Sequence, residues 1–264
     1  MAGIERALSS IGFGAFKIGR NEGIKYPSGY ELPDMSAVER LLNGVLDCGI
    51  SYIDTAPAYG LSEERIGQAI AHRRHECTIS TKVGESFENG ASTHDYSREA
   101  VQRCVERSLQ RLGRGRLDLV FVHARRDDVH VLAQTDVVEA LCGLRDQAVI
   151  AAIGLSGYTA AAFRASFEWA DAIMLEYHPL DRTLEPVIAE AAQRRIAVVV
   201  KKPLASGRLK PAESFELILG NPGVTSVVVG SLDPAHMEEN MRIAQRVRGE
   251  SRAAQVSANE RIRN

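Results

Sequence analysis

Eight short apolar runs, each followed by an amphipathic helical pattern, predict an α/β fold in which a single 264-residue chain closes into a (β/α)8 TIM barrel. The runs are continuous rather than alternating, as expected of parallel strands covered on both faces. No linker interrupts the series, and 45% hydrophobic side chains can fill one large core. Residues 1–264 therefore read as one domain with a polar, flexible tail over about 249–264.

The first strand is read near Ile11-Gly12-Phe13-Gly14. A helix follows from Ser36 to Cys48, with Val38, Leu41, Leu42, Val45 and Leu46 at helical spacing and Gly49 as its stop. Strand two is Ser51 to Asp54, after which Ser62 caps a helix with Glu63 and Glu64 in its first turn. Strand three ends at Lys82, and a helix runs from Ser97 to Leu112. Strand four ends at His123, followed by a helix over about Gln134 to Asp146. Ala148 to Gly154, Ala172 to Leu175, Ile196 to Val200 and Val224 to Val229 supply strands five to eight. Their helices cover Thr159 to Phe167, Leu184 to Arg194, Ala212 to Leu219, and Asp233 onward. The stretches Gly23 to Pro33 and Glu85 to Asp95 read as long loops on the face where barrel active sites lie.

Composition narrows the function classes. With 32 Lys plus Arg against 34 Asp plus Glu, the chain lacks a nucleic-acid footprint, and small molecules are the expected partners. The four cysteines are far apart, with neither metal-ligand spacing nor a disulfide framework. No basic-then-apolar leader and no run of membrane-spanning length occurs, so a cytoplasmic protein without a membrane partner is expected. Oligomeric state is not legible in the sequence.

Asp54, Lys82 and His123 end three consecutive strands, and Tyr59 follows Asp54 by five residues. A phenol with a reference pKa of about 10 is a weak acid near neutrality until an ammonium stabilises its anion. Lys82 can supply that ammonium, Asp54 can hold Lys82 charged, and His123 can hydrogen-bond the same substrate oxygen. Such a group can protonate a carbonyl oxygen while hydride reaches its carbon. Taken singly, each residue has a structural explanation; their shared face favours chemistry.

The segment Asp54-Thr55-Ala56-Pro57-Ala58-Tyr59-Gly60-Leu61-Ser62-Glu63-Glu64-Arg65-Ile66-Gly67, with Ser80-Thr81-Lys82 and His123 after Leu117-Asp118-Leu119-Val120, resembles the aldo-keto reductase superfamily. That resemblance covers most of the chain and implies an NAD(P)H-dependent enzyme that reduces aldehydes or ketones to alcohols. It gives Tyr59 the role of general acid or base, tuned by Lys82 and Asp54, with His123 orienting the carbonyl. A nicotinamide-binding sensor barrel with weak turnover is the alternative.

The resemblance also implies a cofactor path. Gly14, Ala15 and Phe16 match the approach to the nicotinamide and its ribose, and Ser156 matches a carboxamide ligand. Gly157 and Met174 stand where an Asn and a Gln are usual. Lys201 and Lys202 precede Pro203-Leu204-Ala205-Ser206 in place of a Tyr and a Ser, and alternation lets only one of the two face inward easily. Ser231, with Glu239 and Asn240, resembles the adenosine-phosphate clamp, yet Gly230 and His236 occupy positions commonly held by Lys and Arg. NADPH is the cofactor implied, and the missing cations leave NADH open.

Overall fold

The computed structural model describes residues 3–24 and 29–263, with side chains as far as 249. The expected tail therefore falls largely outside the described side chains, and the first long loop includes 25–28, which lie outside the described residues. The strands of the barrel are β1 (Ile11–Gly14), β2 (Tyr52–Asp54), β3 (Thr78–Val83), β6 (Leu117–His123), β7 (Ile150–Ser156), β8 (Ala172–Glu176), β9 (Ala197–Lys201) and β10 (Ser226–Val229). All pair in parallel, and β10 returns to β1 with Ile11 opposite Val227. The helices are α1 (Met35–Asp47), α2 (Ser62–Ala69), α3 (Arg98–Leu112), α4 (Asp128–Gln134), α5 (Val137–Asp146), α6 (Ala160–Ser166), α7 (Glu185–Gln193), α8 (Pro211–Gly220) and α9 (Pro234–Arg263). Among the described residues no helix is long and apolar enough to cross a membrane.

Each strand divides its side chains between two cores. Ile53, Val120, Val122, Ile153, Leu155, Val198 and Val200 pack outward beneath the helices, while Tyr52, Leu119, Phe121, Ala152, Met174, Val199 and Val228 fill the barrel. The period-two alternation of a strand produces this split. Leu8 and Ile4 join the inner cluster and close the end of the barrel opposite the strand termini. Large and small residues share the interior: a Cβ at Gly154 would come 2.8 Å from the Phe121 ring and 2.2 Å from the Ala172 carbonyl oxygen. Continued to the strand ends, the inward parity of Tyr52, Phe121, Ala152, Met174 and Val199 reaches Asp54, His123, Ser156, Glu176 and Lys201. A polar layer thus caps an apolar barrel.

Three expectations are corrected. The stretch after β3 is not a structureless loop but an antiparallel hairpin, β4 (Glu85–Glu88) and β5 (Ala91–His94), with Glu85 opposite His94. β5 is exposed throughout and carries no apolar alternation, so no strand pattern shows in its sequence. The fourth helical region begins at Asp128 and breaks in two at Thr135, so Gln134 ends α4 instead of opening α5. The Asp128 carboxylate is buried and accepts from the Tyr158 and Thr159 backbone N–H groups at 2.7 and 2.8 Å, which ties α4 to the turn after β7. Finally, Ser62 is not a cap: it lies inside α2, and its hydroxyl donates to the Ala15 carbonyl at 2.9 Å while accepting from Thr55 at 2.8 Å.

Glu63 is likewise more than a favourable charge at a helix start. It is fully buried and accepts from the hydroxyls of Thr81 and Ser108 at 2.6 and 2.7 Å. Arg111 stands 3.5 Å from its second oxygen. One carboxylate therefore clamps α2 to β3 and α3, beneath the loop that carries Tyr59.

Candidate active site

Asp54 and Lys82 point into the barrel from β2 and β3 and are 3% and 1% exposed. The Lys82 Nζ donates to both Asp54 oxygens and to the Thr55 carbonyl, each at 2.8 Å. Ser80 donates to the same carboxylate at 2.7 Å. The two carboxylate oxygens and the Thr55 carbonyl hold the ammonium; burial opposes its charge, but Asp54 and Tyr59 raise its pKa above the ordinary lysine value.

Tyr59 leaves β2 through a short 3-10 turn, Pro57–Tyr59, which carries its ring back over the barrel end. The Lys82 Nζ lies 4.8 Å from the ring centroid, and the Phe16 ring meets Tyr59 edge-on at 5.1 Å. Burial raises the Tyr59 phenol to about 12, against the opposing pull of Lys82. The phenol therefore holds its proton at neutral pH, as a proton donor must.

His123 ends β6, with its ring centroid 6.3 Å from that of Tyr59 and the planes nearly perpendicular. Its Nδ1 lies 2.8 Å from a carboxylate oxygen of Glu85, the first residue of the hairpin. Burial lowers the His123 pKa, Glu85 pulls it upward, and the net direction is down. Burial also works against the Glu85 charge, but His123 and the Ser92 hydroxyl bring that carboxyl to about 2. With Nδ1 beside this carboxylate, the imidazole has its other nitrogen left for a further partner. Glu85 was not singled out from the sequence; the available signal was a lone carboxylate three residues beyond Lys82.

A bridge on the opposite side steadies this wall. The Arg20 guanidinium sits 3.3 Å from the Phe87 ring centroid and donates to the Ala58 carbonyl at 3.0 Å. The segment after β1 thereby binds the hairpin to the Tyr59 turn.

The cofactor candidates divide into groups. At the end of β1, a Cβ on Gly14 would meet Val228 at 3.0 Å, and one on Gly230 would come 2.7 Å from the Gly14 carbonyl oxygen. Neither position has room for a side chain, so the main chain at the end of β1 and that just beyond β10 approach each other closely here. Ser156 is buried opposite His123 in the β6–β7 register. Lys201 faces inward and donates to the Ser156 hydroxyl at 3.0 Å and the Gly157 carbonyl at 3.2 Å. Lys202, exposed and with φ at +51°, lies just beyond β9 and pairs with Glu176, which ends β8 beside Lys201.

Met174 stands apart. It is 1% exposed within the inner core, and a thioether there offers no N–H to a carboxamide. Pro203 is buried, its carbonyl accepting from Ser214 at 2.5 Å, while half-buried Leu204 packs on the outer core. Ser206 and Ala205 adopt φ of +61° and +46° in the tight turn between β9 and α8. After β10, the Ser231 hydroxyl lies 3.2 Å from the His236 ring and accepts from the Asp233 N–H at 3.0 Å. His236 is also 3.6 Å from the Asp233 carboxylate. Farther along α9, Glu239 pairs with Arg242 and Asn240 is buried.

Among the cofactor candidates, the hydroxyls of Ser156 and Ser231 and the inward Lys201 amine are the polar side-chain groups at or just beyond the strand ends.

Comparison with known proteins agrees. The model of the aldo/keto reductase family matches residues 10–221. A crystal structure of a Pseudomonas aeruginosa protein named as an aldo-keto reductase superposes with a TM-score of 0.85 at 36% identity, covering 94% of both chains. An NADH-specific methylglyoxal reductase of Escherichia coli is 31% identical over 196 residues, spanning 68% of this chain and 60% of its own. A D-arabinose 1-dehydrogenase of Saccharomyces cerevisiae is 38% identical over 134 residues, 48% of this chain and 38% of its own.

Proposed function

We propose, since the chain belongs to the aldo-keto reductase family, that Tyr59 hands a proton to a carbonyl oxygen while Lys82, Asp54 and His123 hold it to that task. The protein is an NAD(P)H-dependent carbonyl oxidoreductase. When bound, the nicotinamide supplies hydride to the carbonyl carbon. Everything else falls to the side chains. His123, fixed by Glu85, hydrogen-bonds the carbonyl oxygen and directs it toward the phenol. Lys82 stabilises the phenolate left behind, and Asp54 keeps Lys82 charged in a place where burial alone would neutralise it. The observation that carries this reading is the meeting of the Lys82–Asp54 pair, the Tyr59 ring and the His123 ring at one barrel end.

Small aldehydes are the proposed substrates, consistent with the methylglyoxal and sugar names of two relatives. The family resemblance supports NADPH. At the adenosine end, however, His236 is engaged by Asp233, whose carboxylate opposes a 2′-phosphate, so NADH is the proposed second cofactor. The ratio of dissociation constants for NADPH and NADH measures that preference. The proton role is tested by Tyr59→Phe, which should cut carbonyl reduction by about 10²–10⁴-fold while leaving cofactor binding intact. Near-normal turnover would sink the assignment.

A further inference from the structure

We propose that Lys201 is a nucleophilic amine that captures aldehydes as imines at the barrel mouth, an activity separate from hydride-linked reduction. Three lysines end or adjoin barrel strands on this face. Lys82 cannot serve, because the Asp54 carboxylate holds it as an ammonium, which has no lone pair. Lys202 is exposed and paired with the Glu176 carboxylate, which favours its charged form. Lys201 differs from both.

Its two hydrogen-bond acceptors are the neutral Ser156 hydroxyl and the Gly157 carbonyl. A neutral amine has two hydrogens, enough for those two acceptors, and keeps its lone pair. The side chain is half-buried at the strand end, not sealed into the core as Lys82 is. Burial and the neighbouring Lys202 lower its pKa to about 7, with Lys82 acting in the same direction and Glu176 and Asp54 against. His123 is a further titratable neighbour, and the Tyr158 ring stands 4.7 Å from Nζ, where it favours the charged form. Near neutrality a large share of the amine is therefore unprotonated, the condition under which lysines attack carbonyls.

The step balances without an oxidant or reductant. The amine lone pair forms a C–N bond while the carbonyl π pair moves to oxygen. The nitrogen then gives up both its protons, the C–O bond breaks, and the oxygen leaves with those protons as water. One amine and one aldehyde become one imine and one water. Hydrolysis reverses the capture.

The test leaves the cofactor out. Wild-type protein is incubated at pH 7 with butanal and sodium cyanoborohydride, which reduces an imine to a stable butyl amine, and the modified lysine is found by peptide mass mapping. Lys201 should be alkylated roughly ten-fold or more faster than Lys17 and Lys210, because the reaction runs through the unprotonated amine. The rate should climb with pH and level off above about 7. Lys201→Arg should abolish the fast modification. The proposal is overturned if wild-type Lys201 labels no faster than Lys210, or if the fast label survives in Lys201→Arg. Failure of Lys201 to label would leave the reduction by Tyr59 standing, whereas an active Tyr59→Phe reductase would contradict the reduction reading alone.

Discussion

The main chain of Gly19 presses against that of Tyr59: a Cβ at Gly19 would stand 2.1 Å from the Tyr59 carbonyl oxygen and 2.3 Å from the Ser62 nitrogen. Leu61 N–H donates to the Gly19 carbonyl at 3.1 Å, and Gly60 turns the chain at φ +62° beside it. The segment after β1 thus sets the height of the phenol over the barrel. Gly19→Ala must push one of these strands of chain away, and a displacement of about 1 Å at a reacting group can cost about 10²-fold in rate. Turnover should fall by that order while circular dichroism retains the barrel spectrum. Unchanged turnover would show that the Tyr59 turn is not held from this side.

Removing the Lys82 ammonium should cost stability as well as activity. In Lys82→Met the Asp54 carboxylate stays buried with Ser80 as its remaining hydrogen-bond donor, and breaking a buried ion pair costs about 3–5 kcal/mol. The double variant Lys82→Met, Asp54→Asn removes the stranded charge and should recover part of that loss. Urea denaturation of the three proteins measures the coupling. Equal destabilisation in the single and double variants would mean that Asp54 does not depend on Lys82. The phenol of Lys82→Met should also titrate above about 12, the value it holds with the ammonium beside it.

Glu85 should reveal itself through His123. Because burial already lowers the His123 pKa and Glu85 opposes that fall, Glu85→Gln should move it further down, seen as an earlier midpoint in the imidazole proton resonance. The acid limb of stability changes too. A carboxyl held at about 2 when folded and near 4.5 when unfolded contributes stability that is complete above about 4.5 and is lost as pH falls toward 2. The variant should lose the part of its stability that the wild type keeps above that window. An unmoved His123 midpoint would reject the pairing.

The barrel was legible because strands buried on both faces must be apolar from end to end, so Val198-Val199-Val200 or Leu119-Val120-Phe121-Val122 carry their own signal. The polar residues that interrupt such runs at the strand ends were legible for the same reason: Asp54, Lys82 and His123 break a pattern that burial would otherwise keep unbroken. What stayed hidden depends on contacts between distant segments. Glu85 acts across a hairpin of polar residues with no apolar period, and Ser62 abandons the capping role suited to its type because Thr55 and the Ala15 carbonyl surround its hydroxyl. The inward direction of Lys201 accords with its strand parity, but its neutral partners were not legible, since Ser156 lies 45 residues away on another strand.

Lys201 makes a prediction in the alkaline direction, opposite to that of Glu85. Its amine titrates at about 7 in the folded protein and near the ordinary lysine value of 10.5 when unfolded. Between those values the unfolded chain binds more protons, so stability rises with pH. Below about 7 both states are protonated and the full burden of an ammonium confined beside Lys202 and Lys82 is present; it is relieved as pH climbs through the folded pKa. Lys201→Met has no such group to relieve. Relative to wild type it should therefore be most stabilised at pH 6 and lose that advantage steadily by pH 9, measured as the difference in urea midpoint between the two proteins. A difference that stays constant across this range would mean that Lys201 keeps its proton, and that its hydrogen bonds to Ser156 and Gly157 belong to an ordinary ammonium.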